Sequence, residues 1–175
     1  SYSDKRRKVR QTGIKGLGYN NYGSHTSSGE INLLKILGKK YEPKVCVDIG
    51  ANIGNYSKAL IKYTNAKIIA FEPNKFAYKE LKKIQKIHKK RLVCFEYGIS
   101  NKKKSMPLYY GSKNSELASV LKDSNKLNFI HGSNKKKMII KCISLDDFFL
   151  KRKVKFSNLD FIKIDTEGHE VEVLE

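Results

Sequence analysis

Three short apolar runs, each closed by turn residues and separated by stretches of helical periodicity, constrain this chain more than anything else in it. The runs are residues 44–49 (KVCVDI), 66–73 (AKIIAFEP, closed by Pro73) and 91–100 (RLVCFEYGIS). Between the first two, residues 54–63 place Tyr56, Ala59, Leu60 and Tyr63 on one helical face. Between the second and third, residues 75–90 put Ala77, Leu81, Ile84 and His88 on one stripe, with lysines elsewhere. Strand, helix, strand, helix, strand predicts a parallel sheet wound by crossover helices. Because such crossovers are right-handed, the first three strands are expected in spatial order 3-2-1.

The flanks extend this pattern. Residues 1–26 read as an irregular leader, and 27–175 as one doubly wound α/β domain. A first helix is predicted from Ser27, which forms an S-x-x-E capping box with Glu30, to Gly38. Its apolar face is either Ile31, Leu34 and Leu37 or Leu33, Leu34 and Leu37. After the third run, "KSMPLYYG" and "KKKMIIKCISLDDFF" read as short strands around a polar loop, 111–137. The segment "NLDFIKIDTEGHEVEVLE" is a fourth buried strand running into a helix. A doubly wound sheet ending there is expected to be C-terminally incomplete. Its open edge is a template for self-association, so a homo-oligomer is one expectation.

Bulk properties narrow the class. Hydrophobic content of 39% and charged content of 30% over 175 residues describe a globular domain. No apolar run approaches the ~20 residues that span a bilayer, and the basic N-terminus lacks a signal-type apolar stretch, so the cytoplasm is the default location. Cys46, Cys94 and Cys142 each sit in an apolar run without a CxxC or Cys/His cluster, and read as buried free thiols. The net charge is +19, but only five of the 36 basic residues are arginines. Arginine does most base-edge and bidentate phosphate reading. The lysine runs 102–104 and 135–137 and the 151–155 cluster are scattered and lack interleaved aromatics. They read as solvated surface, although the field favours a polyanionic or membrane-attached substrate.

The turn "VDIGANIGNYS", residues 47–57, sits where a ligand binds in an open parallel sheet, at the carboxyl ends of the strands. A dinucleotide fingerprint requires G-x-G-x-x-G. Here the spacing is Asp48-x-Gly50-x-x-x-Gly54, and an acid at the strand end would repel a pyrophosphate. It suits a ligand bearing an ammonium or sulfonium group and no phosphate, a description that fits S-adenosylmethionine. A tight corner without any ligand is the plainer reading. Glu72, about twenty residues on, ends the second run where a carboxylate can accept both ribose hydroxyls, and Pro73 fixes the turn behind it.

Taken together, "VDIGANIGNYS", "AFEPN", "YGIS", "ISLDDFF" and "LDFIKIDTEGHEVEVLE" resemble the FkbM family of S-adenosylmethionine-dependent methyltransferases, in the same block order, from about Gly29 to Glu175. The first block alone would indicate only a class I methyltransferase; the I-D-x-E-G-x-E element is the specific one. The resemblance implies a Rossmann-like enzyme that methylates hydroxyls of small molecules, sugars or glycans. It implies that Asp48, Gly50, Asn52 and Gly54 line the methionine end of the cofactor and that Glu72 takes the ribose. It also implies that Phe71 and Asn74 flank the nucleoside, that Tyr97, Gly98 and Ile99 form the adenine region, and that the stretch Ser27 to Glu30 lies at the pocket rim. Asp165, Glu167 and His169 are the implied catalytic group, with Asp165 also facing the cofactor.

Elementary chemistry agrees in part. Asp165 is suited to orient the cofactor or take a proton, and His169 supplies the motif's imidazole, the side-chain type most used as a neutral-pH base. A solvent-facing first-turn residue is the alternative for His169, and helix-terminus acids the alternative for Glu167 and Glu170. A divalent metal at Asp165 and Glu167 would lack a further ligand cluster. Two other functions remain open on sequence: an RNA methyltransferase, against which the few arginines and the missing Asn-Pro-Pro-aromatic element speak, and a non-catalytic binding domain that keeps the cofactor fold.

Overall fold

The structure is a computed structural model that describes residues 29–110, 136–152 and 158–175. In chain order its elements are α1 (Gly29–Ile36), a π-helical turn (Leu37–Tyr41), β1 (Val45–Ile49), α2 (Asn55–Tyr63), β2 (Lys67–Phe71), α3 (Lys75–Ile87) and β3 (Leu92–Phe95). There follow β4 (Gly98–Ile99), β5 (Lys104–Tyr110), β6 (Lys136–Ile143), α4 (Leu145–Lys151), β7 (Phe161–Ile164) and α5 (Glu170–Leu174). The main sheet has the order β3-β2-β1-β7, with all pairings parallel, so the expected 3-2-1 order holds and the fourth run joins beside β1. A smaller sheet, β4-β6-β5, pairs β5 antiparallel to β6 and β4 parallel to it.

Strand alternation divides the core into two layers. Cys46, Ile68, Ala70, Leu92 and Cys94 face Leu34, Leu60 and Leu81 of α1, α2 and α3. Val47, Ile49 and Phe71 face the other way, against Phe148 and Phe149 of α4 and Ile99 and Ile143 of the small sheet. Asp48 shares the face of Cys46, which points it at α2. All three cysteines are free and buried, and burial pushes the Cys46 thiol up to about 12.

Several boundaries differ from the sequence expectation. The third run is two strands in two sheets. The last rung with β2 is the Glu72 N–H donating to the Phe95 carbonyl, and after Glu96 and Tyr97 the chain pairs with β6 instead, Ser100 N–H donating to the Ile143 carbonyl. In α1, Leu34 is buried and Leu33 half exposed, which selects the Ile31, Leu34, Leu37 face. Gly38 falls inside the π-helical turn, where the backbone runs against the Tyr63 carbonyl with no room for a side chain. α3 stops at Ile87, because the amides of Arg91 and Leu92 both turn back to the His88 carbonyl. Ser27, the leader and the loop 111–135 lie outside the described residues, as does the lysine cluster beyond Arg152. Among the described residues no helix is long and apolar enough to cross a membrane.

The second layer closes on an aromatic cluster. The ring of Phe148 stands edge-on to Phe71 and Phe95, each with centroids 4.7 Å apart, and to Phe149 at 5.4 Å. The Ser144 hydroxyl caps α4 by accepting from Asp147 N–H, so "ISLDDFF" is a strand end, a cap and a buried aromatic pair. Truncation of Phe148 to alanine is expected to lower unfolding free energy by about 3–5 kcal/mol. Urea denaturation reads this as a lower midpoint with an unchanged slope.

Candidate functional site

The carboxyl ends of β1, β2 and β7 open into one cavity whose far wall is the small sheet. At its floor the turn after β1 is fastened to β2: the amides of Gly50 and Ala51 both donate to the Phe71 carbonyl, at 3.0 and 2.9 Å. Gly50 has φ +74°, and a Cβ there would run into the Asp165 backbone carbonyl at the end of β7. Glycine is therefore needed both for the left-handed backbone and for the close approach.

Glu72 bridges two turns. One carboxylate oxygen accepts from Asn52 N–H after β1, the other from Asn74 N–H after β2, each at 2.7 Å. The side chain lines the cavity yet is only 6% exposed. Burial pushes its carboxyl up from the ordinary 4.5 to about 7, against the pull of the two backbone N–H groups.

Asp48 lies behind the turn, outside the lining, with 0% exposure. One oxygen accepts from the Ser57 hydroxyl of α2 at 2.6 Å, and the other stands 3.5 Å from the Lys163 ammonium. Its carboxyl is pushed above the usual range by burial, with Lys163 and Ser57 opposing. Lys163 is beside Asp48 in the β1–β7 register. Its ammonium also donates to the Gly50 carbonyl at 3.1 Å and pairs with Asp165 at 3.2 Å. One cation thus ties a buried acid, the turn backbone and a cavity acid together.

The I-D-x-E-G-x-E block forms a closed loop. Glu170 accepts from Thr166 N–H, the Thr166 hydroxyl and Gly168 N–H at 2.8–3.2 Å. Burial alone would raise its carboxyl, but these bonds hold it below the usual value. Glu167, at φ +53°, lines the cavity. Burial, then Asp165 and Glu170, push its carboxyl up. His169 is buried, not solvent-facing. Its Nε2 lies 2.9 Å from the Ser100 hydroxyl and its Nδ1 3.3 Å from Glu172.

Of the residues singled out in the sequence, Gly50, Asn52, Glu72, Pro73, Tyr97, Gly98, Asp165, Glu167 and His169 come together around the cavity. Glu30 is exposed on α1, outside that lining. Gly54 starts α2 and packs against Leu81 and Ile84 of α3, also outside it. Sequence reasoning missed Lys163, Ser57, Ser100 and the apolar wall of Met106, Leu108, Ile140 and Cys142. Lys163 carried a signal: it is the one charge in the apolar stretch "FIKI", and a lysine drawn into a strand beside the core requires a nearby acid. Among the described residues no three candidate metal ligands cluster.

The family model of the methyltransferase FkbM domain matches residues 48–175, and the chain belongs to that family. It is 30% identical over 147 residues to the hexuronic acid methyltransferase AglP of Haloferax volcanii, covering 83% of this chain and 55% of that protein. The chain therefore spans about half the length of this curated relative. Among solved structures, the FkbM methyltransferase of Methylobacillus flagellatus aligns with a TM-score of 0.49 at 18% identity, covering 76% of this chain and 28% of that one. A putative transferase of Pyrococcus horikoshii aligns with a TM-score of 0.36 at 24% identity, covering 45% and 32%.

Two outcomes test the charge arrangement. Lys163→Met leaves Asp48 buried without a cation and is expected to cost about 3–5 kcal/mol of stability. Adding Asp48→Asn should recover part of this loss in urea melts. For Glu72, the native state holds the proton more tightly than the unfolded chain. Its stabilising contribution is thus full below pH 4.5 and is lost as pH rises toward about 7. The difference in stability between wild type and Glu72→Gln should shift by about 3 kcal/mol across that window, measured as unfolding free energy against pH.

Proposed function

We propose that this chain is the cofactor-binding core of an S-adenosylmethionine-dependent methyltransferase that methylates a hydroxyl of an acidic sugar. One observation carries the reading: in a chain of net charge +19, the cavity lining holds Glu72, Asp165 and Glu167 and, among the described residues, neither lysine nor arginine. Such a lining suits a ligand with cationic groups and disfavours a pyrophosphate.

The residues present fit S-adenosylmethionine. Glu72 is a buried carboxylate whose charged form is under-solvated, so hydroxyl donors from a ribose would relieve it. Asn52 Oδ1 is a buried acceptor without a hydrogen-bond partner at the same wall. Tyr97, Ile99 and the apolar wall of the small sheet offer a surface for an adenine, and Asp165 a counter-charge for the amino-acid end. When bound, the cofactor supplies an electrophilic methyl group on a sulfonium sulfur.

Glu167, which lines the cavity, is the proton acceptor for the sugar hydroxyl; burial and the neighbouring acids push its carboxyl above the ordinary value, which makes it a stronger base. Asp165, held by Lys163, orients the reacting groups. His169, with both ring nitrogens engaged, keeps α5 and the Glu167 loop fixed against the end of β4. The acidic-sugar acceptor is supported by the hexuronic acid methyltransferase relative.

Calorimetry with S-adenosylhomocysteine tests this reading. Wild type should bind, Glu72→Ala should weaken binding about 10- to 100-fold, and affinity should rise with pH up to about 7 as Glu72 ionises. A folded wild-type protein that releases no heat would overturn the cofactor assignment.

A further inference from the structure

The lysines that look scattered along the sequence are gathered by the fold. Lys103 just before β5, Lys104 at its start, Lys141 on β6, and Lys151 and Arg152 at the end of α4 line one cleft. Among the described residues no aspartate or glutamate lines it. Among the described residues none of these five cations has an ion-pair partner. The acids of α4, Asp146 and Asp147, belong to its first turn, at the opposite end of the helix from Lys151.

Arg152 is held in place by the core. Its guanidinium carbon lies 3.8 Å from the centroid of the Phe148 ring and 4.7 Å from that of Phe95. A stacked guanidinium presents its fork with little further entropy to lose, which suits a planar oxyanion.

The cleft adjoins the cavity. By strand alternation Ile140 and Cys142 face the cavity, whereas Lys141 and Ile143 face the opposite side of β6. Tyr97 and Cys142 line both openings, and Tyr97 also borders the groove that passes Pro73, Ile139 and Lys141 between them. A chain-like ligand passing Tyr97 would therefore meet the acid-lined cavity with one unit and the basic cleft with another.

We infer that this cleft grips the carboxylates of a uronate-containing oligosaccharide while a neighbouring sugar hydroxyl is presented to the cavity. This rests on the acidic-sugar reading above and adds to it a second contact and an acceptor longer than one sugar. A lone carboxylate gains little from solvated lysines, but charges spaced along a chain can engage cations drawn from three elements at once. A single-stranded nucleic acid is the less favoured occupant. The Phe148 ring is buried and already carries Arg152, and Tyr97, the other aromatic of the described lining, is shared with the cavity, so the cleft lacks the row of stacking rings that a nucleic acid uses.

The test measures binding of a short oligogalacturonate, a neutral oligosaccharide of equal length, inorganic phosphate and a single-stranded RNA. The proteins are wild type, Lys104→Gln/Lys141→Gln/Lys151→Gln, and a control of equal net charge, Lys62→Gln/Lys79→Gln/Lys86→Gln. The oligogalacturonate should bind in a salt-dependent way and the neutral sugar should not. The cleft variant should weaken that binding about tenfold or more while the control does not, and S-adenosylhomocysteine affinity should stay unchanged in both.

Equal losses in the cleft variant and the control would overturn the inference, as would RNA or inorganic phosphate binding more tightly than the saccharide. If wild type binds the oligogalacturonate through the cleft but not S-adenosylhomocysteine, the methyl-donor reading fails and the cleft stands. If it binds S-adenosylhomocysteine alone, the cleft assignment fails and the methyl-donor reading stands.

Discussion

A carboxylate with no exposure, Asp48, lies 3.5 Å from a lysine ammonium that is itself only 15% exposed, and the site is built on that pair. Asp48 sits on β1 inside the sheet, and its charge without the neighbouring cation would carry a large desolvation penalty. Together they fix the register of β1 against β7. The same ammonium reaches the Gly50 carbonyl and Asp165. The turn after β1 and the acid after β7 thereby take their positions from one part-buried cation. Ser57 completes the arrangement by giving Asp48 a short hydrogen bond from α2.

Charge is partitioned over short distances. Among the described residues the charged side chains of the cavity lining are acids, the chain as a whole is strongly cationic, and in a cleft sharing two residues with the cavity the charged side chains are all cations. Glu72 belongs to the same design. Two backbone N–H groups position its carboxylate, yet burial still leaves the ionised form costly, with the carboxyl pushed up to about 7. Perturbed carboxylates of this kind concentrate where a ligand completes the solvation that the protein withholds. Glu170 is the contrast: its bonds to Thr166 and Gly168 saturate it, and it serves the loop instead of the cavity.

The local patterns were legible because they depend on neighbours in sequence. Periodicity identified the strands and helices of the βαβαβ unit. The turn and the I-D-x-E-G-x-E spacing marked residues that the fold brings to one cavity, and Glu72 could be picked out by its distance from Asp48. Boundaries failed where a distant partner decided them. Residues 91–100 split because β6 claims Gly98 and Ile99, and α1 ends in a π-helical turn where Gly38 runs against the end of α2.

What the sequence by itself determined is the order of elements, the family, and the acids that could serve a methyl donor, since each is written in residue type and short spacing. Only the tertiary structure decided which acids face the cavity. Asp48 and Glu72 look alike as strand-end carboxylates, but strand alternation turns Asp48 toward α2 and Lys163, whereas Glu72, one residue past β2, meets two turns at the cavity wall. Tertiary packing also turned separate lysines into a cleft. Their proximity arises from an antiparallel β5–β6 pairing and a helix end, contacts between residues tens of positions apart that composition and periodicity do not encode.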